Sequence, residues 1–259
     1  MSYSVIIPSR NIANLTACVR QIRAMGETCR VIVVWDGDSC ENLREVIFGP
    51  DSIADDTLRI LIGQKPFVFS RACNDGIRET GTDDVVLMND DALLRKPRGF
   101  ELLQRTLRAH LDYGAVCPSF THGSVGTINL VQRRGWPNEI REERTMLVFA
   151  CVYIPRSTID YVGLLDERFG INAGGPGARG YGLEDDDYSL RIRQAGLKLG
   201  VYDGVLVDHL PESTGLKSTF RHDPEHPHDV RAHEDLFTKI HGHWPEGHGF
   251  APGKSRLPK

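Results

Sequence analysis

The sequence predicts an α/β protein with a central, mostly parallel sheet flanked by helices. Three observations carry this expectation. Short, almost wholly apolar runs recur through the first third of the chain, segments with helical spacing separate them, and the runs stop at polar turns. Strands apolar on both faces need cover on both faces, which crossover helices supply. Functional groups then gather beyond the C-terminal ends of the strands.

The elements follow in order. Ser4 to Pro8 (SVIIP) is the first strand, and Ile12, Leu15, Val19 and Ile22 recur at helical spacing behind Asn11, a ready N-cap. Val31 to Trp35 (VIVVW) ends in the turn Asp36-Gly37-Asp38-Ser39, and Leu43, Val46 and Ile47 mark one side of the next helix. Leu58 to Ile62 is a third strand, Ser70 to Glu79 a helix with Ala72, Cys73 and Ile77 inward, and Asp84 to Met88 a fourth strand breaking into Asn89-Asp90-Asp91. Phe100, Leu103, Leu107 and Leu111 suggest a helix, and Ala115 to Pro118 and Met146 to Ile154 further strands. Residues 121–145 between them are polar and irregular. Residues 170–182 are Gly-rich and read as a loop, followed by a helix from Leu183 to Ala195 closed by Gly196. Two short strands near Leu199 to Tyr202 and Val205 to Val207 come next, and Val230 to Ile240 is helical.

Composition narrows the function classes. The chain has 259 residues, 40% hydrophobic and 25% charged, which excludes a long disordered protein. Lys+Arg total 31 against Asp+Glu 35, a formal charge of -4 that argues against bulk capture of nucleic acid or anionic lipid. No apolar run reaches membrane-spanning length, and MSYSVIIPSRN does not read as a secretory signal, so a cytoplasmic protein is expected. The six cysteines include no CxxC pair and read as buried free thiols.

Four groups of residues carry chemistry. Asn89-Asp90-Asp91 ends a buried strand, where adjacent carboxylates suit Mg²⁺ or Mn²⁺ shared with a phosphate, or else a plain Asn/Asp turn. Glu184-Asp185-Asp186-Asp187 opens a helix, where acids favour the dipole, but four exceed what that needs. A general base for an incoming hydroxyl is the functional reading. His209, at a strand end, offers an imidazole for a metal of the Mn²⁺ kind. Asp36 with Asp38 could accept a nucleobase N–H, and Arg71 with Asn74 could meet phosphate; surface salt bridging is the competing reading.

Taken in order, these motifs resemble the family-two inverting glycosyltransferases of the GT-A fold. The matching segments are SVIIPSRN (4–11), VIVVWDGDS (31–39), SRACNDGI (70–77), VVLMNDDALL (85–94), FACVYIPRSTIDYVGLLDERF (149–169), GLEDDDYSLRIRQAGL (182–197) and the His209 segment, spanning roughly the first 210 residues. The resemblance implies a nucleotide-sugar donor, with a UDP-sugar favoured, and Mn²⁺ or Mg²⁺. It implies that Asp36 reads the base with Asp38 a helper, that Arg71 lies near the diphosphate, and that Pro8, Arg10, Asn74 and Glu184 border the donor. Asp91 matches the last acid of the family's Asp-x-Asp motif, Asn89 replaces its first, and Asp90 would touch the donor sugar. His209 would be a further metal ligand. Asp185 is the implied catalytic base, with Asp186 and Asp187 as alternatives. Transfer would proceed with inversion and without a covalent enzyme intermediate.

The domain expectation is a catalytic unit over 1–210, split into donor binding at 1–95 and acceptor side at 96–210, with an extension at 211–259. Trp136 and Tyr181 fall on the acceptor side. The acceptor expected is a glycan, glycoconjugate or small metabolite. Arg133, Arg134, Arg141 and Arg144 interleave with Glu139, Glu142 and Glu143, so a nucleic-acid acceptor is permitted but not favoured. The tail carries His222, His226, His228, His233, His241, His243 and His248. A zinc site at 222–228 is conceivable, but a loosely packed extension, an acceptor-site cover or a homo-oligomer contact fits better. A dinucleotide-dependent oxidoreductase is excluded by the absence of GxGxxG after the first strand. A non-catalytic sugar-nucleotide-binding module is the remaining rival, and Asn89 is the residue in its favour.

Overall fold

A computed structural model describes residues 2–37, 42–49, 56–121, 139–170, 182–209 and 230–246. Its first half follows the sequence closely. Strands β1 (Tyr3–Ser9), β2 (Arg30–Trp35), β3 (Leu58–Ile62) and β4 (Asp84–Met88) alternate with helices α1 (Ile12–Ala24), α2 (Leu43–Phe48) and α3 (Phe69–Glu79). Asn11 caps α1 as expected, its Oδ1 accepting the N–H groups of Ala13 at 3.0 Å and Asn14 at 3.1 Å. All four strands run parallel in the order β3-β2-β1-β4. The apolar side chains of β1 and β4, from Val5, Ile6 and Ile7 to Val85, Val86 and Leu87, are completely buried, whereas the edge strand β3 leaves Ile62 64% exposed.

The second half is mixed. Strands β5 (Ala92–Leu94), β6 (Tyr113–Phe120), β7 (Ile140–Glu143), β8 (Cys151–Ile154) and β9 (Lys198–His209) accompany helices α4 (Gly99–Ala109), α5 (Arg156–Val162), α6 (Glu184–Gln194) and α7 (Val230–His241). The sheet continues from β4 through β8, β6 and β9 to β5, with β7 also on β9. Strands β4 and β8 are antiparallel, β6 and β9 parallel, and β5 and β7 each antiparallel to β9.

Several expectations are corrected here. The apolar run Met146 to Ile154 is a strand only from Cys151; Leu147 and Phe149 are buried without joining the ladder. The two short strands near 199 and 205 are one, β9, because Asp203 within it is buried against Arg141 (Nε to Oδ2 2.6 Å). Polar Ile140–Glu143 is a strand although the stretch around it reads as irregular. Helix α4 stops at Ala109, leaving Leu111 82% exposed, and Val46 also faces solvent. The five described cysteines, Cys18, Cys29, Cys73, Cys117 and Cys151, are free and buried.

Three contacts hold the layers against the sheet. Helix α3 lies so close to β1 that a Cβ on Gly76 would stand 2.4 Å from Ile6 Cγ2. Asn74 on the same helix is buried, donating from Nδ2 to Leu165 O and Glu167 Oε1, both at 2.9 Å, and accepting Leu165 N–H at 3.0 Å. Its amide thus fixes the loop after α5. Glu27, after α1, accepts the Phe100 N–H at 2.8 Å at the start of α4, and accepts the Tyr3 hydroxyl.

Two outcomes are expected. Asn74→Ala should cost about 3 kcal/mol in denaturant unfolding, because buried backbone groups of Leu165 lose their partners. Burial pushes the Glu27 carboxyl above its ordinary 4.5. A raised acid favours the folded state while protonated, fully below the unfolded value, and loses that contribution as pH rises through the folded one. Melting curves from pH 4.5 to 7 should therefore show the wild type losing stability relative to Glu27→Gln as pH rises.

Candidate active site

Parallel alignment brings the C-terminal ends of β1, β2 and β4 to one edge. Three of the sequence-predicted groups meet there. Arg10, just after β1, donates from its guanidinium to Asp36 Oδ2 at 2.7 Å, and Lys65 Nζ stands 3.1 Å from Asp36 Oδ1. Lys65 also donates to the Asp36 carbonyl. Asp36 is 2% exposed, and Arg10 lies over the Phe67 ring with 5.7 Å to its centroid. The Arg71 guanidinium turns back to the carbonyls of Gln64 and Pro66, bracing the loop that carries Lys65. Pro8 is buried within β1 beside Val34.

The turn after β4 divides its two acids. Asp90 points inward, accepting the Ser9 hydroxyl at 2.5 Å. Burial, with the Asp91 charge adding to it and the Ser9 bond opposing, pushes its carboxyl up to about 7. A buried carboxyl bonded to β1 braces the turn; this differs from the direct sugar contact expected for it. The Asn89 backbone N–H donates to Ala150 O at 2.9 Å, and its carbonyl accepts Ala92 N–H at 3.1 Å.

Asp91 meets His209. Strand β5 pairs with the end of β9 so that Ala92 stands opposite His209, and this register sets Asp91 Oδ1 3.4 Å from His209 Nε2. Both side chains are buried, and neither of these two atoms has a hydrogen-bond partner. Such orphaned atoms are costly unless something fills the gap between them. A carboxylate oxygen beside an imidazole nitrogen suits a divalent cation of the Mn²⁺ kind, so the residues fit one. Among the described residues no group of three or more His, Cys, Asp or Glu side chains gathers. Two protein ligands leave most of a cation's shell to water and ligand oxygens.

The acidic helix start divides in the same way. Asp187 is tied to the fold, with Oδ2 2.9 Å from Arg191 Nε and Oδ1 2.8 Å from His241 Nε2. Asp186 is buried at 5% exposure. Glu184 Oε2 lies near Gly170, where a Cβ would stand 3.6 Å from it and 3.5 Å from Ser70 Oγ. Asp185 is half-buried, and its Oδ1 accepts the Asp186 N–H at 3.0 Å. Burial first, then the charges of Asp186 and Glu184, hold its carboxyl well above the usual range. Its charge reaches Cys117, whose thiol donates to Val148 O at 3.4 Å.

Asp38, Trp136 and Tyr181 lie outside the described residues, as do Arg133, Arg134, His222, His226, His228, His248 and most of the Gly-rich stretch. Sequence reasoning missed Lys65, Ser9 and Phe67. The signal for Lys65 was present: it follows the third parallel strand, and parallel strands deliver their following residues to one edge.

A family model described as glycosyltransferase like family 2 matches residues 2–223. A comparison with curated proteins finds no match. Among solved structures, GalNAc-T7 with UDP, GalNAc and Mn²⁺ aligns at TM-score 0.62 and 14% identity over 85% of this chain and 47% of that one. Mannosyltransferase PcManGT from Pyrobaculum calidifontis, in complex with GDP-Man and Mn²⁺, aligns at 0.60 and 16% over 82% and 57%. S. aureus TarS 1-349 aligns at 0.54 and 12% over 80% and 60%. The chain thus matches about half the length of the first two, and identities this low speak for a shared GT-A fold alone. With the family match spanning most of its length, the chain belongs to the glycosyltransferase-like family 2.

Proposed function

We propose that the protein is a metal-dependent inverting glycosyltransferase, moving a sugar from a nucleoside-diphosphate sugar to an acceptor hydroxyl. The carrying observation is the buried pair Asp91 Oδ1 and His209 Nε2, 3.4 Å apart and without hydrogen-bond partners, at the strand edge that also holds Asp36.

The roles follow from the chemistry. Asp36 supplies a buried acceptor for a base N–H, as uracil and guanine both present, and a UDP-sugar is the donor we favour. Lys65 and Arg71 bring positive charge toward the diphosphate. Mn²⁺ or Mg²⁺ held by Asp91 and His209 would offset the charge growing on the leaving diphosphate. Asp185, kept basic by burial and neighbouring acids, takes the proton of the acceptor hydroxyl. That oxygen then bonds to the anomeric carbon from the face opposite the departing diphosphate, so configuration inverts. Glu184, beside Gly170 and Ser70, borders the donor. The acceptor we favour is a glycan, glycoconjugate or small metabolite.

The test is a thermal-shift panel of UDP- and GDP-sugars with and without Mn²⁺, paired with nucleoside-diphosphate release. Binding to the folded state raises the melting temperature. Asp91→Ala should abolish the Mn²⁺-dependent part of the shift. Asp185→Asn should keep the shift and lower turnover about a hundred- to ten-thousandfold. Full turnover in Asp185→Asn would sink the base assignment, and donor binding without turnover by the wild type would sink the enzyme.

A further inference from the structure

The family match ends at residue 223, yet helix α7, at Val230–His241, contacts the described segments on either side of residues 171–181. We propose that α7 is a working part of the catalytic site, with His233 and His241 as positioning residues for the acidic turn that carries Asp185. This rests on Asp185 being the base, as proposed above.

Contacts of α7 and of Glu246 just beyond it support the proposal. The Gly170 N–H donates to Gly182 O at 3.1 Å, and His233 Nδ1 reaches the same carbonyl at 3.0 Å. A carbonyl only accepts, so His233 must donate there, which fixes its Nδ1 as protonated. Leu183 follows with φ +69, a left-handed conformation strained for a side chain of that size, and the acidic turn begins at the next residue. Such strain persists only where surroundings enforce it. Leu183 is 1% exposed and packs in a small cluster with Phe169, Leu190 and Phe237, separate from the main core. The Phe237 and Phe169 rings are 6.2 Å apart, and His233 meets the Phe169 ring edge-on at 5.7 Å. His241 Nε2 donates to Asp187 Oδ1 at 2.8 Å, and Glu246 just beyond α7 pairs with Arg193 at 2.9 Å. Helix α7 therefore packs on the N-cap Leu183 and bonds to Asp187 in the first turn of α6, and Glu246 just beyond α7 holds the far end of α6 at Arg193.

The hydrogen bonds use one N–H of each ring, so each histidine can be replaced by an amide of matching reach. His233→Asn keeps a donor near Nδ1 and His241→Gln one near Nε2, whereas His233→Leu and His241→Leu lose it. The first readout needs no activity: amide hydrogen exchange of residues 182–190. Exchange there should quicken in both leucine variants, with global melting unchanged, and return toward wild type in the amide variants. The second is steady-state turnover. Each leucine variant should lose about tenfold in kcat with the donor KM within about twofold, because a misplaced base slows chemistry without weakening donor binding. The amide variants should recover most of that loss. Unchanged exchange at 182–190 in both leucine variants overturns the proposal whatever the enzyme's activity. Quickened exchange with unaltered kcat in an active enzyme overturns the positioning role alone, whereas an inactive wild type would count against the proposed reaction and leave exchange to decide whether α7 holds the turn.

Discussion

The site depends on a three-residue ladder. Strand β5 pairs with the end of β9 at Ala92–His209, Leu93–Asp208 and Leu94–Val207, and this alone brings an acid from the first half of the chain to a histidine more than a hundred residues later. Side chains alternate along a strand, so a slip of one residue would turn His209 to the opposite face. Neighbouring contacts pin the register. The Arg95 N–H donates to Leu206 O at 2.9 Å, and the Arg95 guanidinium pairs with Asp208 on the same strand. On the other side, the Thr121 N–H donates to Val207 O at 3.1 Å.

Around this ladder, neighbouring acids of similar appearance take different duties according to burial. Asp90 is turned in toward Ser9 while Asp91 faces His209. Asp187 is held by Arg191 and His241 while burial and the neighbouring acids raise the Asp185 carboxyl. In each pair one acid braces the backbone so that its neighbour is held in a fixed place. A rigid support of this kind lets a reactive group act without first being ordered.

The parallel half of the sheet was legible because local and global signals agree. SVIIP, VIVVW and DVVLM are almost wholly apolar, the intervening helices carry their own periodicity, and Asn11 caps α1. The mixed half was not. Strand β5 has three residues, and β7 reads IREE, which only pairing with β9 makes a strand. Apolar content misled at Leu147 and Phe149, which are buried without sheet pairing, and at Leu111, past the end of its helix. In the candidate site, strand ends and motif order single out Asp36, Asp91, His209 and Asp185. The partners of Asn74 at Leu165 and Glu167, and of Asp187 at His241, are tertiary neighbours that no local pattern displays.

The small cluster of Phe169, Leu183, Leu190 and Phe237 also bears on where this molecule can be cut. Three of the four belong to the region that family similarity outlines, and the fourth comes from beyond residue 223. A polypeptide shortened to that outline would leave two aliphatic side chains and an aromatic ring facing water beside the acidic helix. Greasy surface of that kind invites self-association. The boundary recognisable by ancestry and the boundary of the folded body are therefore different, and the second lies further along the chain.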